Sequence, residues 1–265
     1  MDERSKKLRR LSVDAFAADK RGHIGPTLSL IEILRVLYDD FLKFRPEEPN
    51  WPDRDRLILS KGHGCLALYS ILADKGYFPE QELTTFCKHD SRLGGHPERG
   101  KLPGIEASTG ALGHGLPIGV GMALAAKMKG KEYRVVVVTG DGELNEGSVW
   151  EAAMSASKHR LSNLIVFVDH NKYQSYGPTQ DVLDMGSLAG KWTSFGFSVK
   201  EVDGHNVKSL EEIMDQLPLE PQKPTAIICH TIKGKGFPFA EQKADWHHKA
   251  GLNDEMINEM YKCLD

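Results

Sequence analysis

The feature that constrains this chain most is a pair of buried apolar segments, each followed by a polar residue. Residues 134–139 and 164–169 are short, rich in β-branched side chains and bounded by turn residues, which is typical of parallel strands. The stretch 147–160 between them has the pattern of a crossover helix. Because a right-handed βαβ unit brings the carboxyl ends of its strands to one edge, Asp141 and Asn171 are predicted to meet where open α/β sheets bind ligands.

Asp141 and Asn171 offer a carboxylate and a carboxamide oxygen, which are hard ligands of the kind that Mg²⁺ prefers. Mg²⁺ keeps coordination positions for water and phosphate, so the pair predicts a Mg²⁺-diphosphate site. Gly140 and Gly142 would let the backbone approach that phosphate closely. A Gly-Asp-Gly turn alone is a weak signal, since such a turn often only joins a strand to a helix.

The rest of the chain continues the alternation of helix and strand. Strands are predicted near residues 57–60, 134–139, 164–169, 197–202 and 225–231. Helices are predicted near residues 2–19, 27–43, 64–76, 79–88, 113–129, 147–160, 206–217 and 253–263. This order indicates an α/β fold with a mainly parallel sheet and helices on both faces. No repeat or long linker interrupts the order, so residues 1–265 are predicted to form a single domain. Irregular loops are predicted over 90–109 and 173–185, at strand ends where sites are often built.

Composition is that of an ordinary globular chain. Its 265 residues, 40% of them hydrophobic, are enough to bury a large core. A net charge of −3 gives no indication of a nucleic acid or membrane partner. No segment has the length of a membrane span or the pattern of a signal peptide, so a cytoplasmic location is predicted. Four cysteines without metal-type spacing are predicted to stay reduced: Cys65, Cys87, Cys229 and Cys263.

Histidines form the second informative group. His23, His63 and His96 each lie beside glycine at a predicted turn. An imidazole in such a place can donate to a diphosphate, hold a sugar hydroxyl or transfer a proton near neutral pH. Any one of them alone is more typical of a surface or capping residue, but the group favours a site. Further histidines that join it are His114, His247 and His248.

The same segments, in the same order, make the chain resemble the transketolase family over nearly its whole length. The matching segments are 60–70, 94–98, 104–115 and the region from Gly140 to Lys172. The resemblance implies a thiamine-diphosphate-binding fold. It also implies a transferase of carbohydrate metabolism, as in the pentose phosphate reactions, that moves a two-carbon ketol unit from a ketose phosphate to an aldose phosphate.

Roles for individual residues follow from this resemblance. Asp141, Asn171 and the backbone carbonyl of Tyr173 would hold Mg²⁺, for which Ca²⁺ or Mn²⁺ could substitute. Contacts with thiamine diphosphate are implied for His63, Gly110, Leu112, Gly140, Asp141, Gly142, Glu146 and Asn171. Catalytic roles are implied for His23, His96, His247 and Glu146. His248 is an alternative to His247, because the local pattern differs from that of the family.

Two further features are open to more than one interpretation. Glu146 and Glu151 begin a predicted helix, where carboxylates interact favourably with the helix dipole. In the family, the matching glutamates lie at the subunit interface and link two active sites through protons. The loop 230–236 carries Lys233 and Lys235, which would either contact phosphate or be solvated.

A partner chain is also implied by the resemblance. Longer transketolases have a second domain that supplies the glutamate for the aminopyrimidine ring of the cofactor. This chain would then be the N-terminal subunit of a split transketolase, with the pyrimidine-binding and C-terminal domains on a C-terminal subunit, in an α₂β₂ heterotetramer. Because the protein must orient and polarise the cofactor, the chain is expected to be active only with that subunit.

Two other functions remain open at this point. An α-type subunit of a thiamine-diphosphate enzyme acting on 2-oxo acids shares the Asp141 and Asn171 signature, although segments 60–64 and 94–98 favour a sugar site. A non-catalytic homologue is the other alternative, and the retained histidines speak against it. The sequence does not identify the sugar, since pentose phosphates, branched sugars and sulfonated sugars fit similar cofactor motifs.

Overall fold

The fold is organised by a five-stranded sheet, seen in a computed structural model that describes residues 1–265. The strands are β1 (Arg21–Gly22), β2 (Arg56–Leu59), β3 (Val135–Gly140), β4 (Leu164–His170), β5 (Ser198–Asp203), β6 (Thr225–His230) and β7 (Lys249–Ala250). Strands β2 to β6 pair in parallel in the order β2-β3-β4-β6-β5. Strands β1 and β7 form a separate antiparallel pair. The predicted α/β class with a parallel sheet is confirmed.

Helices connect and cover the strands. They are α1 (Glu3–Asp19), α2 (Ile24–Leu28), α3 (Ile31–Val36), α4 (Cys65–Asp74), α5 (Gly115–Met128), α6 (Gly147–Lys158), α7 (Thr179–Leu183), α8 (Leu188–Ser194), α9 (Val207–Met214) and α10 (Asp254–Lys262). The segment 79–88, predicted as a helix, forms a 3₁₀ helix over Glu80–Thr85. Helices α7 and α8 lie where the sequence predicts none. None of the helices combines the length and the apolar composition needed to span a bilayer.

The predicted helix 27–43 is interrupted. Helix α2 ends before Ser29, α3 follows, and a π-helical turn over Leu37–Phe41 completes the segment. The hydroxyl of Ser29 donates to the carboxylate of Asp169 in the sheet, at 2.6 Å. Helical periodicity depends on residues a few positions apart and does not reveal a contact between residues 140 positions apart. The sequence therefore predicts one continuous helix, and this prediction is wrong.

Both faces of the sheet are buried. Helices α5, α6 and α8 pack on one face, where Val135 and Val137 of β3 point. Helices α1, α3, α4, α9 and α10 belong to the larger core on the other face, which receives Val136 and Val138. A strand buried on both sides can be apolar at every position, which is why β3 is a continuous apolar run.

The carboxyl ends of the parallel strands share one edge. In the register of β3 and β4, Gly140 is opposite Asp169. Asp141 therefore leaves β3 beside the end of β4, and its N–H donates to the carbonyl of Asp169 at 3.2 Å. Asn171 follows directly after β4. This edge is where the candidate site is built.

Candidate active site

Asp141 is a buried carboxylate without a cationic partner. It is 4% exposed. Its two oxygens accept hydrogen bonds from the N–H groups of Gly142, at 2.8 Å, and Lys172, at 2.6 Å. Burial, and after it the nearby charge of Asp169, raise the pKa of Asp141 to about 7. A carboxylate in this state is favourably placed to receive a divalent cation, which would supply the missing positive charge.

Asn171 and Tyr173 line the same cleft as Asp141. The carboxamide oxygen of Asn171 accepts the N–H of Tyr173 at 3.1 Å. The carbonyl of Tyr173 accepts no backbone hydrogen bond, so its oxygen is available to a ligand. Carboxylate, carboxamide and carbonyl oxygens are the donors that suit Mg²⁺, Ca²⁺ or Mn²⁺, and these residues therefore fit such an ion.

The wall of the cleft depends on close packing at glycine. A Cβ atom at Gly142 would lie 2.7 Å from Cγ of Gln174, so only glycine fits under that side chain. Gly110 has φ +149°, and a Cβ atom there would lie 3.0 Å from the ring of His96. Gly110 and Leu112 line the cleft together with Asn171.

Gln174 is a site residue that sequence reasoning missed. Its side chain lines the cleft, and its Nε2 atom is buried without a hydrogen-bond partner. A buried amide N–H without a partner is costly, so a ligand oxygen would be a favourable acceptor there. The proximity of Gln174 to the Asp141–Asn171 pair in sequence was the only available signal.

Glu143 is a second missed residue, and its role is structural. It is buried, its Oε1 atom accepts the N–H of Gly113 at 2.9 Å and the hydroxyl of Ser60, and its Oε2 atom accepts the N–H of Gly140 at 3.0 Å. These bonds tie the ends of β2 and β3 to the start of α5. Burial raises the pKa of the Glu143 carboxyl, and the hydrogen bonds that it accepts act in the opposite direction.

The two predicted interface glutamates lie elsewhere. Glu146 and Glu151 are exposed, at the start of α6 and one turn into it. Glu146 lies beside Gly113, where a Cβ atom would come within 2.6 Å of the Cβ of Glu146. Neither lines the cleft that contains Asp141. The catalytic and cofactor roles of Glu146, and the interface role of both glutamates, stay predictions.

The histidines converge on one point. The ring of His23 lies between 4.7 and 5.7 Å from four other rings, measured between centroids. We call these five residues the histidine cluster: His23, His63, His96, His247 and His248. His114 is not part of it and lies exposed, with Nδ1 3.0 Å from the carbonyl of Leu112.

Four rings of the histidine cluster are held in the neutral form. Burial is the main cause in each case, and it lowers the pKa of His23 to about 4 and that of His247 to about 3. The pKa values of His63 and His96 are lowered in the same direction by burial. Neutral imidazole carries one N–H donor and one acceptor nitrogen, so these rings can both donate to and accept from an oxygen-rich ligand.

The structure distinguishes His247 from His248. His247 lines the cleft with Asp141, and its Nδ1 and Nε2 atoms lie 2.8 Å from Nζ of Lys233 and 3.3 Å from Oγ of Ser175. His248 is exposed and meets the cluster only at its edge, with its ring 4.7 Å from that of His23.

Lys233 is buried, which excludes the solvated interpretation for this residue of the loop 230–236. Its Nζ atom donates to the carbonyl of Gln174 at 3.0 Å, besides its contact with His247. Burial, followed by the charge of Lys61, lowers the pKa of Lys233 to about 7. Lys235 is a third exposed and faces Glu241 at 3.7 Å. Only Lys233 therefore belongs to the candidate site.

Comparison with known proteins gives one consistent result. The chain matches the family model described as transketolase, thiamine diphosphate binding domain, over residues 2–264. It is 44% identical to one subunit of the apulose-4-phosphate transketolase of Actinobacillus succinogenes, over 97% of this chain and 93% of that protein. It is 41% identical to the 6-deoxy-6-sulfo-D-fructose transketolase subunit SqwG of a Clostridium species, over 97% of this chain and 91% of that protein.

Solved structures agree with this result. The transketolase of Pichia stipitis in complex with sedoheptulose-7-phosphate superposes with a TM-score of 0.91 at 33% identity, covering 97% of this chain and 39% of that one. This chain thus spans about two fifths of the length of that transketolase. With a family model matched over residues 2–264 and a cleft of oxygen donors and histidines at the strand ends, the chain belongs to the transketolase family and corresponds to its thiamine-diphosphate-binding domain.

Proposed function

We propose that this chain holds the diphosphate end of thiamine diphosphate through a divalent metal ion and, with a second chain, transfers a two-carbon ketol unit between sugars. One observation supports this proposal most strongly. Asp141, Asn171 and Tyr173 line one cleft together with His63 and His247, so cofactor and sugar contacts would lie side by side. The family membership of the chain supports the same reaction.

The metal ion, Mg²⁺ in the first instance, would be held by the Asp141 carboxylate, the Asn171 carboxamide and the Tyr173 carbonyl. The diphosphate would accept a hydrogen bond from Gln174, whose Nε2 atom is a free donor. In this arrangement the carboxylate of Asp141 faces the metal cation, and an N–H donor faces the diphosphate anion. Each ion thus meets a group of the opposite polarity.

Thiamine diphosphate, when bound, supplies a nucleophilic carbon and an electron sink for breaking a carbon–carbon bond next to a carbonyl. The histidine cluster would hold and protonate the sugar. The Nδ1 atom of His247 lies 2.8 Å from Nζ of Lys233; with Lys233 as an ammonium, which can only donate, the ring proton is on Nε2. His247 is thereby set to donate from Nε2 to a sugar oxygen, and to stabilise negative charge that develops there.

The second chain is part of the proposal. It would be the C-terminal subunit of a split transketolase, carrying the pyrimidine-binding and C-terminal domains and the glutamate for the aminopyrimidine, in an α₂β₂ assembly. Two relatives that this chain covers almost completely carry subunit names, whereas the transketolase of Pichia stipitis is a much longer chain. Both facts support a divided enzyme. The substrates would be a ketose phosphate, or a sugar with another anionic group, and an aldose. A cytoplasmic location stays a prediction from sequence.

The test begins with affinity purification of the chain from its native cells. We expect a second chain in equal amount, thiamine diphosphate and Mg²⁺ in the complex, and ketol transfer from at least one ketose phosphate to an aldose. The chain purified alone should have negligible activity. Appreciable ketol transfer by the single chain would contradict the proposed division of the enzyme, and oxidative decarboxylation of a 2-oxo acid without ketol transfer would contradict the proposed reaction.

A further inference from the structure

Asp169 lies next to the proposed metal site without being one of its ligands. It belongs to β4, is fully buried, and accepts hydrogen bonds from four side chains. Its Oδ2 atom receives Nζ of Lys61 at 2.5 Å, Oγ of Ser29 at 2.6 Å and Nδ2 of Asn171 at 3.2 Å. Its Oδ1 atom receives the hydroxyl of Thr231. Four separate segments of the chain therefore meet at one carboxylate.

These bonds determine which way the carboxamide of Asn171 faces. Its Nδ2 atom lies 3.2 Å from Oδ2 of Asp169 and 3.4 Å from Oγ of Ser29; since these two oxygens are only 2.6 Å apart, one N–H of the amide is shared between them. The single proton of the Ser29 hydroxyl has two acceptors in reach, Asp169 at 2.6 Å and the carbonyl of Pro26 at 3.1 Å, and with either one the hydroxyl oxygen is left to accept from Asn171. The flipped amide would place its oxygen against the Asp169 carboxylate, where two acceptors would repel each other. The oxygen of Asn171 is thus held on the opposite side, towards the cleft.

Lys61 keeps this arrangement electrically balanced. Its ammonium and the Asp169 carboxylate are 1% and 0% exposed. A buried carboxylate without such a partner would be strongly unfavourable, and a neutral acid would offer Asn171 and Ser29 a weaker acceptor. The ion pair therefore supports the charge on which the orientation of Asn171 depends.

Resting on the proposed function, we propose that Asp169 and Ser29 are positioning residues that hold the carboxamide oxygen of Asn171 towards the divalent metal ion. Loss of the Ser29 hydroxyl would remove one of the two oxygens that accept from the Asn171 amide, so the carboxamide would be held less firmly and the metal bound less tightly. Partners of this kind, which orient a metal ligand, typically contribute about 10- to 100-fold to metal affinity.

Thr231 provides a matched control. Like Ser29 it is buried and donates its hydroxyl to Asp169, but it reaches the other carboxylate oxygen and makes no hydrogen bond with the side chain of Asn171. Ser29→Ala and Thr231→Val each remove one hydroxyl donor from the same carboxylate. A purely structural role of the network predicts the same effect for both, whereas a positioning role predicts a difference.

The experiment measures Mn²⁺ binding to the assembled protein in the presence of thiamine diphosphate, by the electron paramagnetic resonance signal of free Mn²⁺, together with the melting temperature. We expect Ser29→Ala to weaken Mn²⁺ binding about tenfold or more and Thr231→Val to change it less than about twofold, with similar melting temperatures for the two variants. Equal losses in both variants, or unchanged binding in Ser29→Ala, would overturn the inference.

Two further measurements keep the outcome unambiguous. Ser29→Cys retains a small side chain whose sulfur is a weak acceptor, so it should give an intermediate loss of Mn²⁺ affinity even if Ser29→Ala does not fold. If Ser29→Cys binds Mn²⁺ as tightly as the wild-type protein does, the inference is wrong. If the wild-type complex binds no Mn²⁺ with thiamine diphosphate, the proposed function fails as well; if it binds and the variants match it, only the positioning role fails.

Discussion

Two neighbouring regions of the cleft are built in opposite ways. The strand-end group consists of Lys61, Asp141, Asp169 and Asn171. Its side chains are buried and each is fixed by named hydrogen bonds or an ion pair, so charge is held in place. The histidine cluster instead packs ring against ring and makes few hydrogen bonds of its own, and burial lowers the pKa of His23, His63, His96 and His247.

The difference matches what each region would contact. A metal ion and a diphosphate need charges whose positions do not change, and preorganised groups bind them without reorganisation. A reacting sugar needs groups that can donate at one step and accept at the next, which neutral imidazole does. Changes in the strand-end group should therefore affect folding or metal binding, whereas changes in the histidine cluster should affect turnover.

The largest effect is expected from Lys61→Met. The substitution leaves the carboxylate of Asp169 buried without a counter-ion, and breaking a buried pair in this way typically costs about 3–5 kcal/mol. Urea unfolding followed by circular dichroism should show that loss in the free energy of unfolding. The double variant Lys61→Met with Asp169→Asn removes the unpaired buried charge and should recover part of the lost free energy of unfolding. A cost below about 1 kcal/mol for the single variant would show that the pair does not stabilise the strand-end group.

Next in size is the effect of Asp141→Asn on metal-dependent binding of thiamine diphosphate. Because the carboxylate would contact the metal directly, we expect a loss beyond about 100-fold, the upper end for residues that only orient ligands. Titration of the assembled protein with cofactor at several Mg²⁺ concentrations measures it. Lys172→Asn is the control, since Lys172 contacts Asp141 through its backbone N–H and its side chain is exposed. Equal losses in both variants would remove Asp141 from the proposed metal site.

His247 and His248 give a comparison within the histidine cluster. His247→Asn should lower kcat/KM for ketol transfer about 100-fold, the lower end for a residue that transfers or stabilises a proton, with cofactor binding nearly unchanged. His248→Asn should lower it less than about tenfold, because that ring is exposed at the edge of the cluster. Steady-state kinetics with one ketose phosphate and one aldose decides this. The reverse order of the two effects would place the sugar against His248.

The sequence predicts part of this cleft well, for a definite reason. Asp141 and Asn171 follow two apolar strands directly, and strand periodicity together with the handedness of a βαβ unit is enough to bring them to one edge. The glycine turns that flank His23, His63 and His96 likewise indicate a site from local context alone. Local patterns thus account for the residues that end a strand or occupy a turn.

Residues that depend on distant partners could not be predicted. In the sequence, nothing distinguishes Asp169 from the other residues of β4. Only the fold shows that it accepts hydrogen bonds from Lys61, Ser29 and Thr231. Lys233 lies in a glycine-containing loop that suggests exposure, yet the structure buries it against His247. Burial and pairing across many residues follow from tertiary packing, which neither periodicity nor motif spacing encodes.

The smallest expected effect concerns acid. His23 and His247 have pKa values lowered by burial to about 4 and about 3, below the ordinary value of 6.5. Between those values and pH 6.5 the unfolded chain binds protons that the folded chain does not, so stability falls as the pH is lowered through this window. The rings are partly exposed, which limits the effect to roughly 2–4 °C in melting temperature, the shift that about 1 kcal/mol produces in a domain of this size.

His247→Asn removes one of the two groups and should reduce the acid-induced fall in melting temperature. Acidic residues titrate alike in both proteins and cancel in the comparison, so melting curves of the two proteins at about pH 7 and about pH 4.5 isolate the histidine contribution. An identical fall in both would mean that His247 is already free to take up a proton in the folded chain, and the histidine cluster would then resemble the charged strand-end group more than it differs from it.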